Sequence, residues 1–117
     1  MYASLRKMWL IVFFDLPVTS ADARRRANRF RKDLEADGYL RLQLSVYARP
    51  CNSPDDVRSH QIRLEQILPE NGNVRAVSLS DLQFARMKIM VGQPSVQEET
   101  GVSEWIVFGE TPEETSP

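Results

Sequence analysis

Seven consecutive apolar residues, Met8 to Phe14, run directly into an acid and a proline at Asp15-Leu16-Pro17. A short unbroken run rich in aromatic and β-branched residues is the pattern of a strand covered on both faces. It predicts a central strand over 8–14 against which the other elements must pack. The run is too short to cross a bilayer. Arg6 and Lys7 precede it as they would in a signal peptide, but it ends in Asp-Leu-Pro and not in a small-residue cleavage site. No membrane association is expected.

The following residues read as helix and strand in alternation. Thr19 or Ser20 can cap a helix over 22–37, whose apolar positions Ala23, Ala27, Phe30 and Leu34 fall in one arc, with Gly38 just beyond its end. Residues 40–49 alternate: Leu40, Leu42, Leu44, Val46 and Ala48 on one face, and Arg41, Gln43, Ser45, Tyr47 and Arg49 on the other. This predicts a strand with one buried face, and no Gly or Pro marks a turn inside it. Pro50 and Pro54 bound a break. A second helix is expected over 55–68, with Val57, Leu64, Ile67 and Leu68 on its apolar side and Pro69 stopping it. Asn71-Gly72 turns the chain into a strand over 74–79, and a shorter strand is expected over 87–91, ended by Gly92.

Residues 1–92 thus read as one domain, 93–103 as a flexible linker, 104–109 as a short β-type segment centred on Trp-Ile-Val-Phe, and 110–117 as an acidic disordered tail. The β-type segment needs a sheet edge to join, on its own chain or another. The sum is an α+β sandwich, with both helices on one face of a mainly antiparallel sheet. At 117 residues the core is small, so an oligomer is a natural way to cover more surface.

The net charge of −1 argues against a uniformly basic nucleic-acid binder, but it hides an asymmetry. Residues 1–49 hold ten Lys/Arg and five Asp/Glu, whereas residues 50–117 hold five and eleven. A basic half is the footprint of a polyanion-binding face, or simply a solvated surface. Cys51 is the single cysteine, which rules out a disulfide within the chain and favours an intracellular setting.

Three groups can carry chemistry. Asp15, at the end of the expected central strand, suits a hard cation such as Mg²⁺, or else caps the turn that follows. One carboxylate is a poor metal site, but a twofold axis would bring two copies together. The first helix carries Arg24, Arg25, Arg26, Arg29, Arg31 and Lys32 on every side except its apolar arc. Arg25, Arg29 and Lys32 cluster within about 60° at helical spacing, with Arg26 adjoining. Guanidinium suits bidentate phosphate contacts, although i,i+4 ion pairs are the plainer use of such a helix. Arg41 and Tyr47 can add a phosphate contact and a stacking surface, or that face packs under a helix or a partner. His60, the only histidine, falls within the apolar arc of the second helix and reads as structural. No Cys/His cluster, glycine-rich loop or Ser/His/Asp set suggests another chemistry.

Together FFDLP, RRRANRFRK, LRLQLSVYARP, SLSDLQFARM and WIVF resemble the CRISPR-associated protein 2 family, over roughly residues 8–108. FFDLP and LQLSVYARP look most like members that accompany effector-nuclease (type II) systems. The resemblance implies a ferredoxin-like βαββαβ fold with an additional C-terminal strand, and a symmetric homodimer with Asp15 as the metal-associated acid at its interface. It also implies that the alternating run is a strand pair broken near 45–47, and that the segment around 105–108 joins the partner's sheet. Arg24, Arg26 and Arg41 match basic positions placed near nucleic acid, with Tyr47 beside them. Phe14 stands where some members carry a tyrosine. Two cytoplasmic activities are implied: a Mg²⁺-dependent endonuclease acting on RNA or DNA, and a non-catalytic dimeric scaffold. The scaffold would bridge dimers of the CRISPR integrase around a DNA duplex during spacer acquisition.

Overall fold

The structure, a computed structural model, describes residues 7–97. Its elements follow the order β1 (Met8–Asp15), α1 (Ala21–Ala36), β2 (Leu40–Gln43), β3 (Val46–Cys51), α2 (Pro54–Gln66), β4 (Asn73–Ser80) and α3 (Asp81–Ala85). The sheet order is β2-β3-β1-β4, and every pairing is antiparallel. This is the βαββαβ ferredoxin-like α+β fold, with β1 central as its apolar run requires.

Strand alternation gives β1 two sets of core residues. Leu10, Val12 and Phe14 face α1 and α2, where they pack with Phe30, Leu34, Tyr47, Val57 and Leu64. Phe14 meets Phe30 edge-to-face, with ring centroids 5.0 Å apart. Trp9 and Ile11 face the other way, with Ala48, Leu40, Leu42, Val46 and Leu79. On this second face α3 folds back so that Phe84 stacks on Trp9 at 3.9 Å. The Trp9 indole N–H donates to Asp81 at 3.1 Å. Beyond that stack the second face is open: Phe13 and Val77 are exposed.

The helices start as their sequences dictate. Ser20 caps α1 by accepting from the Ala23 N–H, and Ser53 caps α2, with Pro54 in its first turn and Asp55 and Asp56 beside the positive end of the helix dipole. Gly38 follows α1 at φ +94°, a conformation that favours glycine. The arc Ala23, Ala27, Phe30 and Leu34 is buried as expected.

Four readings from periodicity and turn residues change, the first in the way the family resemblance implies. The alternating run is two strands: β2 ends at Gln43, Leu44 and Ser45 turn, and the pairing shifts register between Arg41 and Gln43. The turn needs no glycine, because tertiary bonds hold it. The Phe14 N–H donates to the Ser45 carbonyl at 3.1 Å, and Arg31 donates to the Leu44 carbonyl at 3.2 Å. Tyr47 lies on the face covered by helices and is 1% exposed, because β3 sits between β2 and β1 and is buried on both sides. Pro50 does not end the strand; it pairs opposite Trp9, beyond the reach of β2, whose pairing stops at Ala48. Residues 87–91 are not a strand; Met87, Ile89, Met90 and Val91 are exposed and no strand pairs with them. The expected segment 104–109 and tail 110–117 lie outside the described residues. Among the described residues, no helix is long and apolar enough to cross a membrane.

Candidate metal and nucleic-acid site

Asp15 is the last residue of β1, exposed and on the open face of the sheet. Two turns flank it. On one side Asn73 of β4 pairs opposite Asp15, following the Asn71-Gly72 turn. Gly72 has φ +98°, and a Cβ there would lie 2.7 Å from the Asp15 carbonyl oxygen. Only glycine lets that turn press so closely on the acid's backbone. On the other side stands the Leu44-Ser45 turn, held to the neighbouring Phe14. The Asp15 backbone is thus fixed from both sides, while no described side chain bonds or pairs with its carboxylate.

The arginines divide into three groups. Arg24 and Arg26 border the loop that leaves Asp15. Arg24 donates to the Val18 carbonyl at 3.1 Å, and Arg26 lines a shallow depression with Leu16, Pro17, Ala27, Pro69 and Asn71. Arg25 and Arg29 project from the outer surface of α1, where Arg25 pairs with Asp22 and Arg29 with Asp33 at 3.3 Å. Both pairs are exposed and worth little, so either guanidinium can exchange its acid for a phosphate at small cost. Arg31 is the third case: it donates to Leu44 and Ser45 and lies 5.5 Å from the centroid of the Phe14 ring. Its role at the site was not legible in the sequence, because its partners lie thirteen and fourteen residues away.

Arg41 sits on β2 opposite Tyr47. Burial raises the Tyr47 phenol above its ordinary value, and Glu35 adds to this. The charges of Arg41 and Arg31 and a side-chain hydrogen bond to Arg41 oppose the shift. Tyr47 therefore offers no open ring to stack on; its hydroxyl instead steadies Arg41. His60 is buried and structural, with Nδ1 2.8 Å from Asp37 and Nε2 3.5 Å from Asp56.

The chain matches a known family over most of its length. The model of the family described as "CRISPR associated protein Cas2" matches residues 8–87. The chain belongs to this family. It is 43% identical over 93 residues to the CRISPR-associated endoribonuclease Cas2 of Parvibaculum lavamentivorans, covering 77% of this chain and 92% of that protein. It is 46% identical over 91 residues to the protein of the same name from Acidovorax ebreus, covering 78% and 89%. The crystal structure of Streptococcus pyogenes Cas2 at pH 6.5 superposes with a TM-score of 0.55 at 24% identity, over 71% of this chain and 99% of that one. That last likeness bears on the fold alone.

As a test of fit for a metal, Asp15 supplies one hard oxygen ligand in open solvent, which suits a cation that keeps most of its waters. Among the described residues, no group of three or more His, Cys, Asp or Glu side chains gathers to hold an ion. A single chain offers one ligand and not a cage.

Proposed function

We propose that this protein is a subunit of CRISPR adaptation that binds nucleic acid beside the integrase in the cytoplasm, and that a homodimer of it is a Mg²⁺-dependent endonuclease. The observation that carries the reading is the state of Asp15: rigidly placed, exposed and, among the described residues, unpartnered on the open face of the sheet. A second copy laid on that face would bring a second Asp15, supplying the ligand that one chain lacks. Phe13 and Val77, exposed beside it, are the apolar surface such a contact would cover. The names of the relatives support the hydrolytic half of the proposal.

Asp15 of each chain would hold the ion, and Mg²⁺, when bound, activates water and offsets charge on the phosphate. The chain's own part is to carry the backbone. Arg24 and Arg26 border the loop that follows the acid, Arg25 and Arg29 lie along α1, and Arg41 stands on β2. Contacts of this kind position a duplex DNA or a single-stranded RNA without reading its sequence. The segment around 105–108 would complete the dimer by adding to the partner's free sheet edge.

A second reading is favoured by the sparseness of ligands around Asp15: a dimeric scaffold that holds DNA between integrase dimers without cutting it. Asp15→Asn separates the two. On the nuclease reading it lowers Mg²⁺-dependent cleavage by on the order of a hundredfold or more and leaves DNA binding intact. Unchanged spacer acquisition by the same variant in cells would favour the scaffold.

A further inference from the structure

The two outer strands of the sheet are β2 and β4. A free strand edge is an open row of donors and acceptors, and proteins commonly block such edges against unwanted pairing. At β2 the chain returns to do this. The Arg41 N–H donates to the Gln97 side-chain oxygen at 2.7 Å. The Arg41 carbonyl accepts from the Ser95 hydroxyl at 2.6 Å. Gln97 then spends its amide NH₂ on Glu35 of α1, at 3.4 Å. Two side chains thus occupy both backbone groups that a pairing strand would use at Arg41, and the third bond ties them to a helix. The contacts span more than fifty residues of sequence, |i−j| being 56 and 54 for the two backbone bonds.

We infer that Ser95 and Gln97 form an edge guard, which closes β2 to strand addition at Arg41. Side chains suit this task better than a paired strand would. They satisfy the backbone of Arg41 yet present no new edge of their own. The inference concerns the sheet itself and stands whether or not Asp15 binds a metal.

The test is amide hydrogen exchange on the full chain, with the S95A/Q97A double variant compared to wild type. Exchange at the Arg41 N–H should rise roughly threefold to tenfold, the range expected for one lost hydrogen bond. Protection along β1 should not change. The variant should also form larger assemblies at high protein concentration, measured by light scattering after size exclusion, and Ser95→Thr alone should not. Unchanged exchange at Arg41 would overturn the inference. So would equal loss of protection in β1, or faster Arg41 exchange without added association.

Discussion

Two aspartates, Asp15 and Asp37, each stand where an element runs out, and the chain treats them in opposite ways. Asp15 ends β1 with its backbone pinned and, among the described residues, no partner for its carboxylate. Asp37 caps the C-terminus of α1, where the helix dipole disfavours an acid and the last turn supplies no basic residue. Other elements make up the difference. Arg63 donates to one Asp37 oxygen at 2.7 Å, the His60 Nδ1 lies 2.8 Å from the other, and Arg49 bonds the Asp37 carbonyl at 2.6 Å. One acid is used up by the fold, while the other is kept back from it.

The sharpest way to break this contrast is Asp37→Ala. It leaves the buried His60 with Asp56 alone and frees Arg63, and should lower the unfolding free energy by about 3 kcal/mol; urea denaturation measures this, and a loss below about 1 kcal/mol would mean Asp37 is as dispensable as Asp15. Gly72→Ala comes next, at about 2 kcal/mol, since it adds a Cβ at positive φ against the Asp15 carbonyl. Gly92→Ala is its control: φ is +107° but nothing lies within 4 Å, so it should cost less. Thermal melts of the two variants would isolate what the turn contributes to holding Asp15.

Alkali should loosen the Asp37 end. Burial first, then Asp56, raises the Cys51 thiol from 9.0 to about 11, with Arg49 opposing and Asp37 adding. Below pH 9.0 the thiol is neutral in folded and unfolded chains alike, and its contribution is fully present. Between there and about 11 the unfolded chain sheds the proton while the folded chain keeps it, so stability falls as pH rises. Melting temperature followed across that window should decline less steeply in Cys51→Ala. The smallest effect belongs to Asp15→Asn, under about 0.5 kcal/mol in stability. A larger loss in a denaturant titration would show that Asp15 is also spent on the fold.

Much of this was legible in the sequence, for reasons that separate local from distant forces. The apolar run of β1, the arc of α1, the Gly38 stop and the Asn71-Gly72 turn are fixed by neighbours in sequence, and each stands where its pattern places it. The β2-β3 turn was not legible from periodicity, because Leu44 and Ser45 keep the alternation going while Phe14 and Arg31 impose the bend from outside. Tyr47 was placed on a polar face for the same reason: alternation assigns a face but not what covers it. Residues 87–91 show the reverse error, an apolar pattern for which the sheet has no partner strand. At the site, Asp15 and the α1 arginines were visible as residue types. The sorting of Arg31 into a clamp, and of Arg25 and Arg29 into exchangeable surface pairs, needed three dimensions.

The stack of Phe84 on Trp9 has a practical consequence. Trp9 is the single tryptophan among the described residues, and it lies on the same face of the sheet as Asp15, with its indole N–H tied to Asp81. Its ring is sealed under α3, while the surface running from Ile11 past Phe13 to the acid continues beneath it. With Trp105 replaced by Phe, the molecule therefore carries a built-in optical gauge of that face. If α3 lifts, the indole meets water and its emission moves to the red. If a second chain settles around Phe13 with α3 in place, the emission holds steady.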